Sequence, residues 1–273
     1  MKILGQLFTV ICVFFLLSCE YEESPWTTST DCSRNVSVAY NIERLKQQEA
    51  AEGPRSSYKV ALVADPQLWP GRFEDLIHRF NKMDDVAYVI LSGDLAHNGL
   101  SAEFEWTCKG MSASKKPIFA VIGNHDSLAF GADIWLKYLG EYNYSFTYQD
   151  TKIVAYNDNK YEFENVPDRA WLADEINGAD TRAHTIAVSH IPPWPTDRGL
   201  SKYLKDLGVE LTIHGHESNF DYRQYGDTLL PHYVTSMSRK NEYGILTVTA
   251  DDLILENCTG SVCEEAELVT IYN

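Results

Sequence analysis

Long apolar runs are nearly absent from this chain of 273 residues. The longest, from Leu7 to Leu17, falls short of the about 20 residues that a membrane-spanning helix needs. Basic residues are few: 23 Lys and Arg stand against 39 Asp and Glu, a formal net charge of −16. A nucleic-acid footprint needs a basic face, so a broad one is excluded. Glycine (16) and proline (10) are not enriched, and no internal repeat or low-complexity tract occurs. Collagen, coiled coil and bulk disorder are thereby excluded. What is present is a globular composition, 44% hydrophobic and 12% aromatic. It suffices for a substantial core, in one large domain or two small ones.

The amino terminus reads as an address. Lys2 precedes the apolar run, which suits the central region of a signal peptide over residues 1–18. The run stops at Leu16-Leu17-Ser18-Cys19 and turns acidic at Glu20, Glu22 and Glu23. A small residue before Cys at that point resembles a bacterial lipobox, and Cys19 is then the lipid attachment site. The alternative is ordinary secretion, with Cys19 a disulfide partner or removed. The expected location is the bacterial cell envelope, at the outer membrane through the N-terminal lipid, or the exterior. Residues 19–57 read as a tether and lead-in helix, with helical spacing over 36–52 ended by Gly53-Pro54. Four cysteines remain: Cys32, Cys108, Cys258 and Cys263. An even count in an exported chain suggests disulfides. Cys258 and Cys263 flank a turn-forming stretch, and Cys32 pairs with Cys108 by elimination.

From residue 58 to 273 the pattern is that of one α/β domain. Apolar runs at 58–64, 86–91, 117–122, 184–189 and 209–213 read as buried strands. Helix-like stretches at 72–83, 101–111, 132–139, 167–177 and 200–207 lie between them. The five runs end in Asp65, Ser92-Gly93-Asp94, Gly123-Asn124-His125-Asp126, His190 and His214-Gly215-His216. Ligand sites in α/β folds collect at strand carboxyl ends, and all these residue types suit a metal. Later segments at 144–150, 152–157, 232–236, 244–249 and 253–258 also read as strands, able to build a second sheet.

The ordered series Asp65-Pro66-Gln67, Gly93-Asp94, Gly123-Asn124-His125-Asp126, Ser189-His190 and Gly215-His216 resembles the calcineurin-like metallophosphoesterases. The resemblance implies a two-sheet αββα sandwich with two divalent metal ions, Mn, Fe or Zn, between the sheet ends. By position, Asp65 and Gln67 would bind the first metal and Asp94 would bridge. Asn124, His190 and His216 would complete the second site. His125 would face the substrate as a catalytic group, with Asp126 orienting its ring. The implied reaction is hydrolysis of a phosphomonoester or phosphodiester by a metal-activated hydroxide.

Two departures from the pattern stand out. Gln67 occupies the place of the family's first His and offers a neutral oxygen. Ser218 occupies the place of its last, in Gly215-His216-Glu217-Ser218. A hydroxyl is a poor, short ligand, so the first site holds its metal weakly or not at all. Glu217 is expected to point away by alternation. His97 lies three residues after Asp94, where purple acid phosphatases carry a ligand Tyr, and is a candidate to compensate.

Trp69 and Trp194 are candidate walls of a substrate pocket or packing residues of their loops. Tyr156 to Asn159 ends a strand and offers supporting hydrogen bonds. Arg198 and Arg239 could meet a phosphate, but neither is assigned to the site. The expected partner is a small phosphorylated substrate, a nucleotide among the candidates, and no nucleic acid. The rival reading is a non-catalytic or single-metal lipoprotein of the same fold that binds a phosphorylated ligand. The net negative charge does not forbid an anionic substrate, because two divalent cations would bring about +4 to the cleft.

Overall fold

A computed structural model describes residue 24 and residues 26–178, 183–194 and 198–272. The apolar run at 7–17 and Cys19 lie outside the described residues. No helix among the described residues is long and apolar enough to cross a membrane.

Helix α1 (Val38–Glu52) starts at Ser37, whose side chain accepts from the Tyr40 amide, and stops at Gly53 with φ +71°. It buries Val38, Asn41 and Leu45. Asn41 Oδ1 accepts from the Ile118 amide at 3.1 Å, which pins the helix to the core. Cys32 and Val36, just before it, are also buried, and Cys32 is bonded to Cys108.

The chain then alternates β1 (Ser57–Val63), α2 (Pro70–Phe80), β2 (Val86–Leu91), α3 (Ser101–Ser112), β3 (Ile118–Ala120) and α4 (Gly131–Tyr138). The hairpin β4 (Tyr144–Tyr148) and β5 (Thr151–Ala155) follows, then α5 (Arg169–Asn177), β6 (His184–Val188), α6 (Gly199–Asp206) and β7 (Leu211–His214). Strands β8 (Asp221–Tyr225), β9 (His232–Val234), β10 (Glu242–Thr249), β11 (Leu253–Thr259), β12 (Val262–Glu265) and β13 (Val269–Ile271) complete it.

Two mixed sheets result, ordered β12-β11-β10-β1-β2-β3 and β13-β8-β9-β7-β6-β5-β4. Strand alternation explains how they stack. Val60, Leu62, Tyr88 and Ile90 of the first sheet meet Ile153, Ile186, Val188 and Ile213 of the second in one cluster. The intervening residues Ala61, Val63, Val89 and Leu91 face outward onto Phe73, Ile77, Phe104 and Trp135 of α2, α3 and α4. On the opposite side Val154 and Ala187 meet Leu172, Ile176 and Leu204 of α5 and α6. The layers are therefore αββα. Strands β1, β2 and β6 are covered on both faces, which is why they read as continuous apolar runs.

The strand segments divide differently from expectation. The five ligand-tipped strands do not share one sheet: β1, β2 and β3 lie in the first and β6 and β7 in the second. Among the later strands β4, β5 and β9 join the second sheet, whereas β10 and β11 extend the first. The reason is pairing: β10 returns antiparallel to β1 with Val60 opposite Leu246, so Leu246 and Val248 enter the inter-sheet core. Cys258 and Cys263 face each other across the β11–β12 hairpin and are disulfide-bonded, with Cα atoms 4.0 Å apart.

Candidate metal centre

The loops after β1, β2, β3, β6 and β7 converge where the carboxyl ends of both sheets meet. Two glycines permit the approach. A Cβ on Gly93 would overlap the His190 ring, and one on Gly123 would overlap the Asp94 carboxylate. Asp65, Asp94 and His216 all adopt left-handed backbone, with φ of 51°, 56° and 68°. Asp and His tolerate that region better than most residues.

One ligand atom from each of Asp94, His190 and His216 lies within 4.8 Å of the others, in a group that is buried or nearly so. His190 Nε2 is 3.3 Å from Asp94 Oδ1. His216 Nδ1 is 3.3 Å from His190 Nε2 and 3.1 Å from Asn124 Oδ1. His190 Nδ1 donates to the Ser92 carbonyl at 2.7 Å, which fixes the tautomer and turns Nε2 to the centre. Asp65 Oδ2 accepts from the His216 amide at 3.2 Å, so the β1 and β7 loops are tied together.

The electrostatics ask for a cation. Burial is the largest influence on Asp65 and drives its carboxyl well above the usual range, with Asp94 adding to it. Burial also raises Asp94, but the neighbouring His190 and His125 outweigh it and hold the group below its ordinary value. Burial pulls His190 down, yet Asp94 and Asp65 overrule it and lift the imidazole to about 10. Burial beside His190 pushes His216 down to about 4. The His190 proton thus occupies the electrostatic role of a positive ion. Two imidazoles, an amide oxygen and a carboxylate form a donor set for Mn, Fe or Zn, so Asp94, Asn124, His190 and His216 fit such an ion.

The first half of the centre is thinner. Asp65 is buried there, and Gln67 spends its amide on neighbours. Its Nε2 donates to Asp94 Oδ2 at 3.0 Å, and its Oε1 lies 2.8 Å from His97 Nδ1. Ser218 is exposed, and its carbonyl takes Ser236 Oγ and Lys240 Nζ. Glu217 pairs with Arg223 at 3.2 Å. His97 lies outside the Asp94, His190 and His216 group. Its ring instead stacks on His125, centroids 4.9 Å apart and 14° from parallel.

The orienting role expected of Asp126 is corrected. Its carboxylate accepts from the Ala96 amide at 2.7 Å and the Gly123 amide at 2.9 Å, clamping two ligand loops. Burial first, then Asp94, raises its pKa to about 8 against those two bonds. His125 Nδ1 donates to the His97 carbonyl at 2.7 Å. A backbone carbonyl therefore orients the ring, which no side-chain pattern could have signalled. The His125 amide donates to Asp94 Oδ1 at 3.1 Å.

Asp158 accepts from the Ile191 amide at 3.0 Å and so holds the His190 loop, while Asn159 Nδ2 donates to the Ile122 carbonyl at 2.9 Å. Trp194 stands edge-on to His216, 6.3 Å between centroids, and lines a cavity there. Trp69 is exposed at the start of α2 and lies outside that cavity. Arg198 pairs with Asp227 at 2.8 Å, and Arg239 lies in the short helical turn Ser238–Lys240. Sequence reading missed Thr212 and His232, which join Ser189 and His214 in a buried polar chain behind the centre.

A model of the calcineurin-like phosphoesterase family matches residues 58–220. No curated protein matches the sequence. The fold is similar to that of purple acid phosphatase PPD1 from yellow lupin, with 13% identity, 80% of this chain covered and a TM-score of 0.62. The chain spans 55% of that protein's length. It is also similar to a dimetal phosphatase from Danio rerio, with 11% identity, 76% of this chain and 98% of that one covered, and a TM-score of 0.58. GAP50, the anchor in the inner membrane complex of Plasmodium, is similar at 15% identity, 77% and 87% coverage and a TM-score of 0.58. Fold, ligand order and family match agree: the chain belongs to the calcineurin-like phosphoesterase family.

Proposed function

We propose that this chain is an active, metal-dependent hydrolase of small phosphomonoesters or phosphodiesters. The convergence of Asp94, His190 and His216 to within 4.8 Å, from loops of both sheets, carries the reading. Bound divalent ions supply a Lewis acid for the phosphoryl oxygens and lower the pKa of a bound water. Asp94 would be shared between two ions, Asn124, His190 and His216 would hold one, and Asp65 the other, joined by Gln67 only if its amide turned its oxygen from His97 to the centre.

The protein's own groups do the rest. Ser92 and Asp158 lock the His190 loop, and Asp126 locks the loops of Asp94 and Asn124, so the ligands need no rearrangement. The His97 carbonyl can only accept, so His125 carries a proton on Nδ1. A second proton, on Nε2, makes an imidazolium that can donate to a leaving oxygen. The test is hydrolysis of chromogenic mono- and diesters by the manganese-loaded protein. Turnover that disappears in Asn124→Ala and after chelation supports the reading; none in the wild type or in Ser218→His overturns it.

The exposed position of Ser218 favours one rival, a single-metal protein that binds a phosphorylated ligand without cleaving it. Metal content separates the two: two ions per chain support the hydrolase, and one supports the rival. Export as a lipoprotein is proposed alongside, supported by two disulfides, which persist in oxidising compartments. Fatty-acid labelling that is lost in Cys19→Ser tests it.

A further inference from the structure

Large apolar side chains stand in solvent along one stretch of the metal-centre end. Leu68 and Trp69 follow β1, Leu128 and Phe130 follow β3, and Trp26 lies in the lead-in before α1. All five are between 40% and 66% exposed. Contacts link the three segments. Gln67, next to Leu68, meets His97, whose ring stacks on His125 of the β3 loop. The Leu128 carbonyl lies so close to Gly99, in the loop of His97, that a Cβ there would overlap it. Trp26 stands edge-on to Phe130, with ring centroids 6.4 Å apart.

The segments share a second property. The chain is 23% charged, yet 24–30, 66–71 and 127–132 contain no Asp, Glu, Lys or Arg. A surface that enters an apolar phase must carry no unpaired charge, because stripping water from one is costly. Leucine and phenylalanine supply apolar area. The two indoles, each an apolar body with one polar N–H, suit the boundary between acyl chains and headgroups.

The path of the lead-in chain identifies the occupant. Lys137 Nζ donates to the Thr28 carbonyl at 3.4 Å. The Thr30 amide donates to the Tyr138 hydroxyl at 3.2 Å, and its own hydroxyl donates to the Ser101 carbonyl at 2.9 Å. Cys32 is bonded to Cys108. The lead-in is thus fastened to α3 and α4 as far as Thr28, two residues from Trp26. Cys19 precedes Trp26 by seven residues, at most about 25 Å of extended chain. A lipid on Cys19 therefore brings a bilayer within that reach of Trp26 and Phe130.

We propose that Trp26, Leu68, Trp69, Leu128 and Phe130 form a seat on a lipid bilayer with zwitterionic headgroups. The anchoring arm rests on the lipoprotein reading; the affinity of the face for lipid does not. A chain of net charge −16 gains nothing from anionic lipid, so the seat works by apolar burial. Gln67 and His125 belong to the same loops, which sets the metal centre beside the membrane surface.

The test uses the protein purified in detergent, with mass spectrometry reading the lipid on Cys19. In vesicles of phosphatidylcholine brominated along its acyl chains, tryptophan emission should fall relative to ordinary phosphatidylcholine. Trp26→Phe combined with Trp69→Phe should remove most of that quenching. Equal emission in the two vesicles, or quenching that survives the double substitution, overturns the seat while a lipidated mass leaves the lipoprotein reading intact. Where the mass shows no lipid, the same protein is floated with phosphatidylcholine vesicles. Binding that is insensitive to salt and falls about tenfold in Phe130→Ser, the effect of burying one such side chain, keeps the seat and overturns the lipoprotein reading. No binding, or binding that Phe130→Ser leaves unchanged, overturns the seat. So does a dimer in detergent that Phe130→Ser dissociates, which makes a second copy of the chain the occupant. Phe130 is exposed, and unchanged metal content checks that the variant is folded.

Discussion

On one side of the centre, His190 and His216 bring ring nitrogens to 3.3 Å beside Asp94, with Asn124 Oδ1 at 3.1 Å. On the other, Asp65 is buried, the Gln67 amide donates to Asp94 rather than offering an oxygen, and Ser218 is exposed where the family pattern has an imidazole. The difference lies in the anchoring as much as in the ligand count. His190 is fixed through Ser92 and Asp158, whereas Gln67 is fixed only by Asp94 and His97, its own neighbours at the centre. A metal affinity is set by the shell that orients the ligands as well as by the ligands. The two halves should therefore bind with unequal strength, and the following experiments probe that inequality.

The largest effect is expected from the strong half. His190→Ala removes a ligand and the link to Ser92, and should abolish both metal retention and turnover, read by elemental analysis and ester hydrolysis. His125→Ala removes the ring that stacks on His97. With Asp94, Asn124, His190 and His216 left in place, it should lower kcat by about 10² or more, the range of general acid catalysis, with metal content unchanged. Ser218→His should act on the weak half alone. It is expected to tighten the second metal equivalent by about tenfold, the scale of a coordination-shell change, with the first equivalent unmoved in a calorimetric titration. Equal affinities in the wild type would erase the comparison.

The smallest effect lies behind the centre and serves as a control. His232 has its pKa lowered from 6.5 to about 3, by burial first and Arg223 second. The unfolded imidazole thus binds a proton in that window while the folded one does not. Stability rises with pH between about 3 and 6.5 and is lost as pH falls. One proton sets a slope of at most about 1.4 kcal/mol per pH unit. His232→Asn should flatten the dependence of denaturant midpoint on pH, leaving the inequality of the metal halves intact.

The sequence revealed more of the strong half than of the weak one. Asp94, Asn124, His190 and His216 each follow a buried apolar run, as Asp65 does, which marks them as strand-end residues, whereas Gln67 and Ser218 lie in the loops beyond. Asp126 misled because its position beside His125 suggested a side-chain partner, whereas its carboxylate turns to the Ala96 and Gly123 amides. Backbone acceptors such as the carbonyls of His97 and Ser92 leave no mark on residue type. The polar chain through Thr212 and His232 was invisible for another reason: both sit in short strands that read as ordinary pleats. Strands β8, β12 and β13 were missed because their polar, partly exposed residues show no buried face. Sheet membership of β10 and β11 was likewise illegible, since pairing across distant segments is decided by packing.

The left-handed backbone at Asp65, Asp94 and His216 has a consequence for how this protein can change. Each such residue costs roughly 1–2 kcal/mol that glycine would not. At these positions, relief of backbone strain runs through the same three Cα atoms that aim the ligands. Selection for robustness and selection for metal binding pull against each other there, and a lineage that no longer needed the metal would gain by giving those residues up first.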